Sequence, residues 1–290
     1  MKVVQEELLI AIGSQRGKML VKIWEPDGPS RATVFCIHEF AGSADDFNYL
    51  APILAANGYK VVCPEMIGRG RSAYFGDKKY YVLESYLRTL GVVLEKYHGR
   101  VNHVIGSSWG AIIGLVFASV IKMNTGRIIL NDPCLQSSGQ LDELRATIVD
   151  GSSREFASFD DVVTYLQGIY GIDENFPRER IVEAATGKFI EKDGKWRLAI
   201  DPAVVEGVQA NIGTDYNAYP HLEKMQVPVL LLFGKQSAYY DKEKMDAIVA
   251  RNTHITCVSD LDGGHAIPML THHTALLVLG FLESRQPSFA

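Results

Sequence analysis

Cysteine is scarce in this 290-residue chain: Cys36, Cys63, Cys134 and Cys257 are the four. They are scattered and form no Cys-x-x-Cys pair, which excludes a disulfide framework, a zinc knuckle and a dithiol redox motif. Cys36 and Cys63 sit inside apolar runs and read as small core residues. Long hydrophobic runs are also missing. No stretch reaches the roughly 18 apolar residues of a membrane span, and the start "MKVVQEELLIAIG" is interrupted by Gln5, Glu6 and Glu7. Neither a membrane anchor nor a signal peptide is expected, and the reading is a cytoplasmic protein. Charge of one sign is nowhere concentrated: 29 Lys plus Arg are interspersed with 34 Asp plus Glu, for a net charge of -5. That excludes a basic surface for nucleic acid. No internal repeat or low-complexity tract is visible.

What is present is alternation. Strand-like runs ("ELLIAI", "KMLVKIW", "ATVFCIH", "YKVVCPE", "VNHVIG", "RIILND", "PVLLLFG", "ITCVSD") are separated by helical patterns over Asp46 to Asn57 and Leu83 to Tyr97. In the second pattern Leu83, Tyr86, Leu87, Leu90, Leu94 and Tyr97 recur at three- and four-residue spacing. The first two runs are joined by a short "GSQRG" turn and predict a hairpin. The later ones are apolar throughout, as in a mostly parallel sheet covered on both faces. Ligands of such sheets bind at the carboxyl ends of the strands. The alternation breaks over residues 133–223, a charge-rich segment without strong strand signals but with helical stretches in "DDVVTYLQGIY" and "RERIVEAATGKFI". A helical lid inserted over the strand ends is expected there.

The run "VNHVIG" leads into "GSSWG", Gly106 to Gly110, followed by a second apolar run. Gly-x-Ser-x-Gly fits only if Ser108 is the central serine. A sharp strand-to-helix turn would expose its hydroxyl, the flanking glycines would let other segments come close, and the Trp109 amide would point where an oxyanion forms. Three fixed positions can also arise by chance in a glycine-rich chain, so placement at the strand end carries the weight. Ser107 is read as a small residue demanded by the turn.

With these residues in place, the chain resembles an α/β-hydrolase carrying a lid domain. "CIHEFAGSADDFNYLAPILAANGYKVVCPEMIGRGRS" is similar to that family's oxyanion loop, helix, strand and Asp-x-x-Gly-x-Gly-x-Ser turn, with Glu65 replacing the Asp and Gly68, Gly70 and Ser72 retained. The resemblance implies an eight-stranded, mostly parallel α/β sheet flanked by helices. Residues 1–132 and 224–290 would form the core and residues 133–223 the lid. "GRGR" lacks the lysine of a phosphate loop and reads as a turn.

A serine hydroxyl needs a base, and the base an orienting acceptor. Of eight histidines, His265 in "DLDGGHAIPML" stands where the family places its catalytic histidine. His98, His103, His221, His254, His272 and His273 read as structural or surface residues. The acid is less regular. After the seventh strand the family carries Gly-x-x-Asp, whereas this chain has "LFGKQSAYYD", with Ser237 and Ala238 in the expected place. Asp132, at the end of "RIILND", is the preferred acid, as in some relatives, including an amide-cleaving branch acting on an acetamidomethylene-succinate. Asp241 is the alternative, and Asp132 could instead serve as a turn or cap residue.

The resemblance makes the amides of Phe40 and Trp109 the oxyanion donors, and gives His38 a bracing role beside the pocket. Glu39 stands where lidded relatives have glycine; a His-Glu pair is similar to dienelactone hydrolases. Glu39 would face the pocket, near Ser108 or a substrate hydroxyl or amine, or else turn to solvent or pair with Arg69. In the lid, Tyr165, Tyr170, Phe189 and Trp196 are candidates for an aromatic wall, and Arg178 or Arg180 for holding a carboxylate. The overall expectation is a serine hydrolase acting on an ester, lactone or amide of a small molecule, with no cofactor and no metal. Carbon–carbon bond hydrolysis, or a ligand-binding, degenerate hydrolase, is the alternative. The partner is a small-molecule substrate rather than nucleic acid or membrane, and a homo-oligomer is left open.

Overall fold

A computed structural model describes residues 1–121, 123–136, 139–172, 176–210 and 216–284. In chain order its strands are β1 (Lys2–Ile12), β2 (Gln15–Glu25), β3 (Ala32–Ile37), β4 (Tyr59–Pro64), β5 (Asn102–Ser107), β6 (Thr125–Asn131), β7 (Glu155–Phe156), β8 (Phe189–Lys192), β9 (Lys195–Leu198), β10 (Val229–Gly234) and β11 (Ile255–Leu261). The eight strand-like runs of the sequence all join one sheet, in the order β1-β2-β4-β3-β5-β6-β10-β11.

Hydrophobic pattern explains the arrangement. In β3, β5 and β10 every residue is buried, because helices cover both faces. These central strands pair in parallel with their neighbours. At the edge, Leu8, Ile10 and Ile12 of β1 are buried while Leu9 and Ala11 are exposed, the period-two pattern of an antiparallel strand with one wet face. Ile12 pairs with Gln15, so the hairpin turns on Gly13 and Ser14 alone.

On one face the helices Leu83–Tyr97 and Trp109–Val120 bring Tyr86, Leu90, Val93, Ile113 and Phe117 against the sheet. On the other, Leu50, Leu54 and Val278 come from the helices Leu50–Ala56 and His272–Glu283. Each fully buried aliphatic side chain contributes roughly 1.5–3 kcal/mol. The helix expected over Asp46 to Asn57 is in fact two pieces, a 3-10 turn at Ala44–Phe47 capped by Ser43 and the helix Leu50–Ala56.

Between β6 and β10 the chain forms helices at Gly139–Ser152, Phe159–Tyr170, Arg178–Thr186, Pro202–Ala210 and Tyr219–Glu223. It also forms a three-stranded sheet, β7-β9-β8, which the reading of this segment as strand-poor and helical missed. The signal was present: "EKDGKW" carries an Asp-Gly pair, and Asp193 and Gly194 both take positive φ (54° and 71°) in the two-residue turn joining β8 to β9. The helical stretch "RERIVEAATGKFI" correspondingly stops at Thr186, and Phe189 begins β8. This segment has an apolar cluster of its own, with Val162, Leu166, Ile181 and Phe189 buried. Among the described residues, no helix is long and apolar enough to cross a membrane.

Candidate active site

Four strand ends meet above the middle of the sheet. β3 runs into His38, β5 into Ser108, β6 into Asp132, and the loop after β11 brings in His265. Ser108 sits between β5 and the helix Trp109–Val120 with φ 51° and ψ -115°, a left-handed conformation that is costly for a residue with a side chain. The turn is held from both sides. The Ser108 amide donates to the Asn131 carbonyl at 2.8 Å, and the Ala111 amide donates to the Ser108 carbonyl at 3.0 Å. A Cβ on Gly106 would lie 2.4 Å from the Gly110 carbonyl oxygen, and one on Gly110 would lie 2.3 Å from that of His38. Both flanking glycines are therefore fixed by backbone crowding. Ser107 is buried, and its hydroxyl accepts from the Asn131 amide group at 2.9 Å.

The Ser108 hydroxyl lies 2.7 Å from Nε2 of His265. Nδ1 of the same ring lies 3.0 Å from Oδ2 of Asp132. The carboxylate can only accept there, so Nδ1 carries the proton and Nε2 is left to accept from the serine. Asp132 is fully buried, has φ 50°, and its amide donates to the Leu232 carbonyl at 2.7 Å. Its second oxygen accepts from the Ser237 hydroxyl at 2.6 Å. Ser237 thus occupies the place where the common acid was sought and supports an acid that comes from β6. Asp241 lies elsewhere: it caps the helix Lys242–Arg251, accepting from the Lys244 amide at 3.1 Å. The alternative acid is corrected accordingly, because a carboxylate committed to an exposed helix terminus does not meet His265. The Tyr239 ring closes over the imidazole, edge to face at 4.5 Å.

Trp109 is the first residue of its helix, so its amide has no partner one turn back, and it faces the positive end of the helix dipole. Phe40 belongs to the tight turn in which the Gly42 amide donates to the Glu39 carbonyl at 3.0 Å. Both rings pack on Arg69, whose guanidinium lies 4.8 Å from the centre of Phe40, 4.6 Å from Trp109 and 5.2 Å from Tyr86. Arg69 also donates from Nε to the Phe40 carbonyl at 3.1 Å. Arg69 is therefore not the partner of Glu39. The guanidinium instead braces the two loops from behind.

His38, a candidate for the pocket's edge, is fully buried and does not line the cavity, so its part is confined to bracing the loop. Its Nδ1 donates to the Glu39 carbonyl at 2.7 Å, and its Nε2 accepts from the Met66 amide at 2.9 Å. Burial pushes its pKa down to about 3, so the ring stays neutral and holds the loop. Glu39 does face the cavity. Its carboxylate meets Nζ of Lys188 at 2.8 Å, and Lys188 reaches Asp46 at 3.1 Å on its other side. Tyr170 adds a longer contact to Glu39 at 3.4 Å, and Lys188 donates to its hydroxyl. Burial opposes the charge on Glu39, but the Lys188 ammonium outweighs it and holds the carboxyl below its usual range. Asp46 is pushed the other way, up to about 7, by burial and by the nearby Glu39 charge. Nothing in "TGKFI" marks Lys188 as a site residue. It comes into place only through the fold of the inserted segment.

The cavity has a volume of about 810 Å³, with Ser108 and His265 in its wall. Much of the lining is apolar, including Ile112, Val116, Ile148, Leu198 and Val208. Of the residues expected in an aromatic wall, Tyr165, Tyr170 and Phe189 line it. Trp196 does not; it packs on Phe159 at 4.7 Å. Arg178 pairs with Asp160 at 2.8 Å on the surface, and Arg180 donates to the Leu270 carbonyl at 2.8 Å and stacks on Tyr49. Neither lines the cavity, so the expected carboxylate grip is corrected. Arg145 and His221 do line it, and His221, read from sequence as structural or surface, also meets the Ser119 hydroxyl at 2.7 Å.

A serine held at positive φ at the end of a buried parallel strand meets a histidine from the loop after β11, which in turn meets a buried aspartate at the end of β6. A sequence model of the alpha/beta hydrolase family matches residues 34–278, and the chain belongs to that family. Its fold and its homologues are those of hydrolases. A 3-hydroxybutyrate-oligomer hydrolase from Cupriavidus necator is 28% identical over 263 residues, covering 86% of this chain and 87% of that protein. An alpha/beta hydrolase from Novosphingobium aromaticivorans superposes with a TM-score of 0.82 at 23% identity, covering 96% of this chain and 98% of the other. An E-2-(acetamidomethylene)succinate hydrolase does so with a TM-score of 0.77 at 18% identity, covering 97% and 100%.

Proposed function

We propose that the protein is a serine hydrolase that cleaves the carboxylic ester, or a related lactone or amide bond, of a small molecule through an acyl-enzyme. The observation that carries this reading is the continuous hydrogen-bonded chain from Ser108 through His265 to Asp132. In the first half-reaction the Ser108 oxygen attacks the acyl carbon as its proton passes to Nε2 of His265. Asp132 stabilises the imidazolium that forms and keeps the ring in its attacking orientation. The carbonyl oxygen, now negative, is held by the amides of Phe40 and Trp109; one such donor typically supplies about 3–4 kcal/mol of transition-state stabilisation. His265 returns its proton to the departing oxygen or nitrogen. Water then enters by the same route and releases the acid.

The fit of the surroundings supports this reading. An apolar cavity of this volume lies within the range of small-molecule sites, and every group the chemistry uses is supplied by the chain itself. Residues 133–223 serve as the lid in this proposal, since Ile148, Tyr165 and Leu198 from that segment line the same cavity as Ser108. The similarity to an enzyme named for 3-hydroxybutyrate oligomers favours an ester of a short acid over a carbon–carbon bond. A fluorophosphonate probe tests the core of the proposal: the wild type should be labelled and Ser108→Ala should not. A wild type that resists labelling would remove the case for an activated serine.

A further inference from the structure

Glu39 is an ionised carboxylate in the wall of an otherwise largely apolar cavity, whose wall also holds the proposed nucleophile Ser108. Its charge is balanced by Lys188, which is almost wholly buried with a side-chain exposure of 2%, whereas the Glu39 side chain keeps 21%. Both contacts from Lys188 and Tyr170 reach a single oxygen, Oε1. Among the described residues no hydrogen bond reaches Oε2. A carboxylate offers about four acceptor positions, and one left unfilled inside an apolar cavity calls for a donor, from water in the empty site or from the substrate in the occupied one.

The arrangement is built rather than incidental. Lys188 comes from the inserted segment, while Glu39 and Asp46 come from the core, so the three meet only where the two pack together. Gly187, directly before Lys188, makes that approach close: a Cβ there would lie 2.4 Å from both the Ser43 hydroxyl and the Asp45 carboxylate. Burying the lysine is costly unless it is paired, and two carboxylates and a tyrosine hydroxyl surround it.

Sheet order gives the direction. Glu39 follows β3, on one side of β5 and Ser108, whereas Asp132 and His265 follow β6 and β11 on the other. His265 must protonate the leaving group, so the leaving group lies toward β6 and β11, and with the oxyanion on the Phe40 and Trp109 amides the acyl chain takes the remaining direction into the cavity whose wall holds Glu39. Glu39 also immediately precedes Phe40, a proposed oxyanion donor, and it lines the same cavity as Ser108 and His265.

We infer that Oε2 of Glu39, held in place by Lys188 and Tyr170, accepts a hydrogen bond from a hydroxyl on the acyl chain, so that short hydroxyacyl esters are the preferred substrates. A neutral hydroxyl fits better than an ammonium, because Lys188 already balances the Glu39 charge. This assignment rests on the serine-hydrolase reading and deepens it.

The experiment compares ethyl 3-hydroxybutyrate, ethyl butyrate and ethyl 3-aminobutyrate on the wild type, on Glu39→Gln and on the charge-neutral double variant Glu39→Gln/Lys188→Met, with thermal melts to establish folding. The wild type should favour the hydroxy ester over ethyl butyrate by about tenfold or more in kcat/KM, the scale of one hydrogen bond to a charged group. Both variants should lose most of that ratio. On the wild type alone, 3-hydroxybutyrate should inhibit competitively at lower concentration than butyrate. Equal turnover of the hydroxy ester and ethyl butyrate by the wild type, an unchanged ratio in a folded variant, or a preference for the amino ester would overturn the inference and leave the serine hydrolase standing. Failure to hydrolyse any ester in a Ser108-dependent way would overturn the underlying reading instead.

Discussion

Replacing Asp132 with Asn separates the relocated acid from every other carboxylate of the chain. The acid is fully buried and meets Nδ1 of His265 at 3.0 Å. Asn keeps the shape but removes the charge that stabilises the imidazolium, and it can present an NH2 group to Nδ1. The ring would then protonate on Nε2 and donate to Ser108 instead of accepting its proton. The serine-protease precedent for this substitution is a loss of about four orders of magnitude in turnover, or about 5.5 kcal/mol of barrier at 1.36 kcal/mol per factor of ten. Asp241→Asn supplies the contrast. It alters only a helix cap, for which even complete removal costs about 0.5–2 kcal/mol, so turnover should stay within about threefold of the wild type. The assay is kcat on one accepted ester for each variant, with the fold checked by circular dichroism. If Asp132→Asn kept more than a tenth of the wild-type turnover, or if Asp241→Asn fell as far, the assigned chain from serine to acid would be refuted.

Two further outcomes follow from burial. Gly110→Ala drives a Cβ against the His38 and Ile37 carbonyls at 2.3 and 2.4 Å; because both are backbone atoms, urea melts should show a loss of about 3 kcal/mol, and a loss below about 1 kcal/mol would refute the crowding argument for this glycine. His103 is buried and has its pKa lowered to about 4, chiefly by burial and also by Arg127. The unfolded ring takes up a proton near pH 6.5 and the folded one only near 4. Its contribution to stability is therefore complete above pH 6.5 and declines as the pH falls toward 4, by at most about 1.36 kcal/mol per pH unit. His103→Phe should flatten the pH dependence of urea melts between pH 6.5 and 4.5, and an unchanged slope would contradict the neutral assignment.

Much of the fold is legible in the sequence. The strands of the main sheet were readable because their burial on both faces leaves uninterrupted apolar runs, and "GSSWG" was readable because backbone crowding at Gly106 and Gly110 admits no side chain. Asp132 is ambiguous in the sequence: an Asp before a proline after a strand can equally make a turn, and its 3.0 Å contact with His265 exists only in the fold. The small sheet of the inserted segment escaped because its strands are two to four residues long, too short for period-two alternation, although Asp193-Gly194 marked their turn.

Local pattern by itself determined the eight strands and the strand-to-helix turn at Ser108, since each is encoded by neighbouring residues whose backbone and burial demands are strict. The partners of the charged groups were decided only by the tertiary structure. That Ser237 donates to Asp132 across 105 residues of chain, that Glu39 meets Lys188 across 149, and that Arg69 turns inward among three rings all depend on how the segments pack. Electrostatic pairing is set by distance in space, and no periodicity along the chain records it.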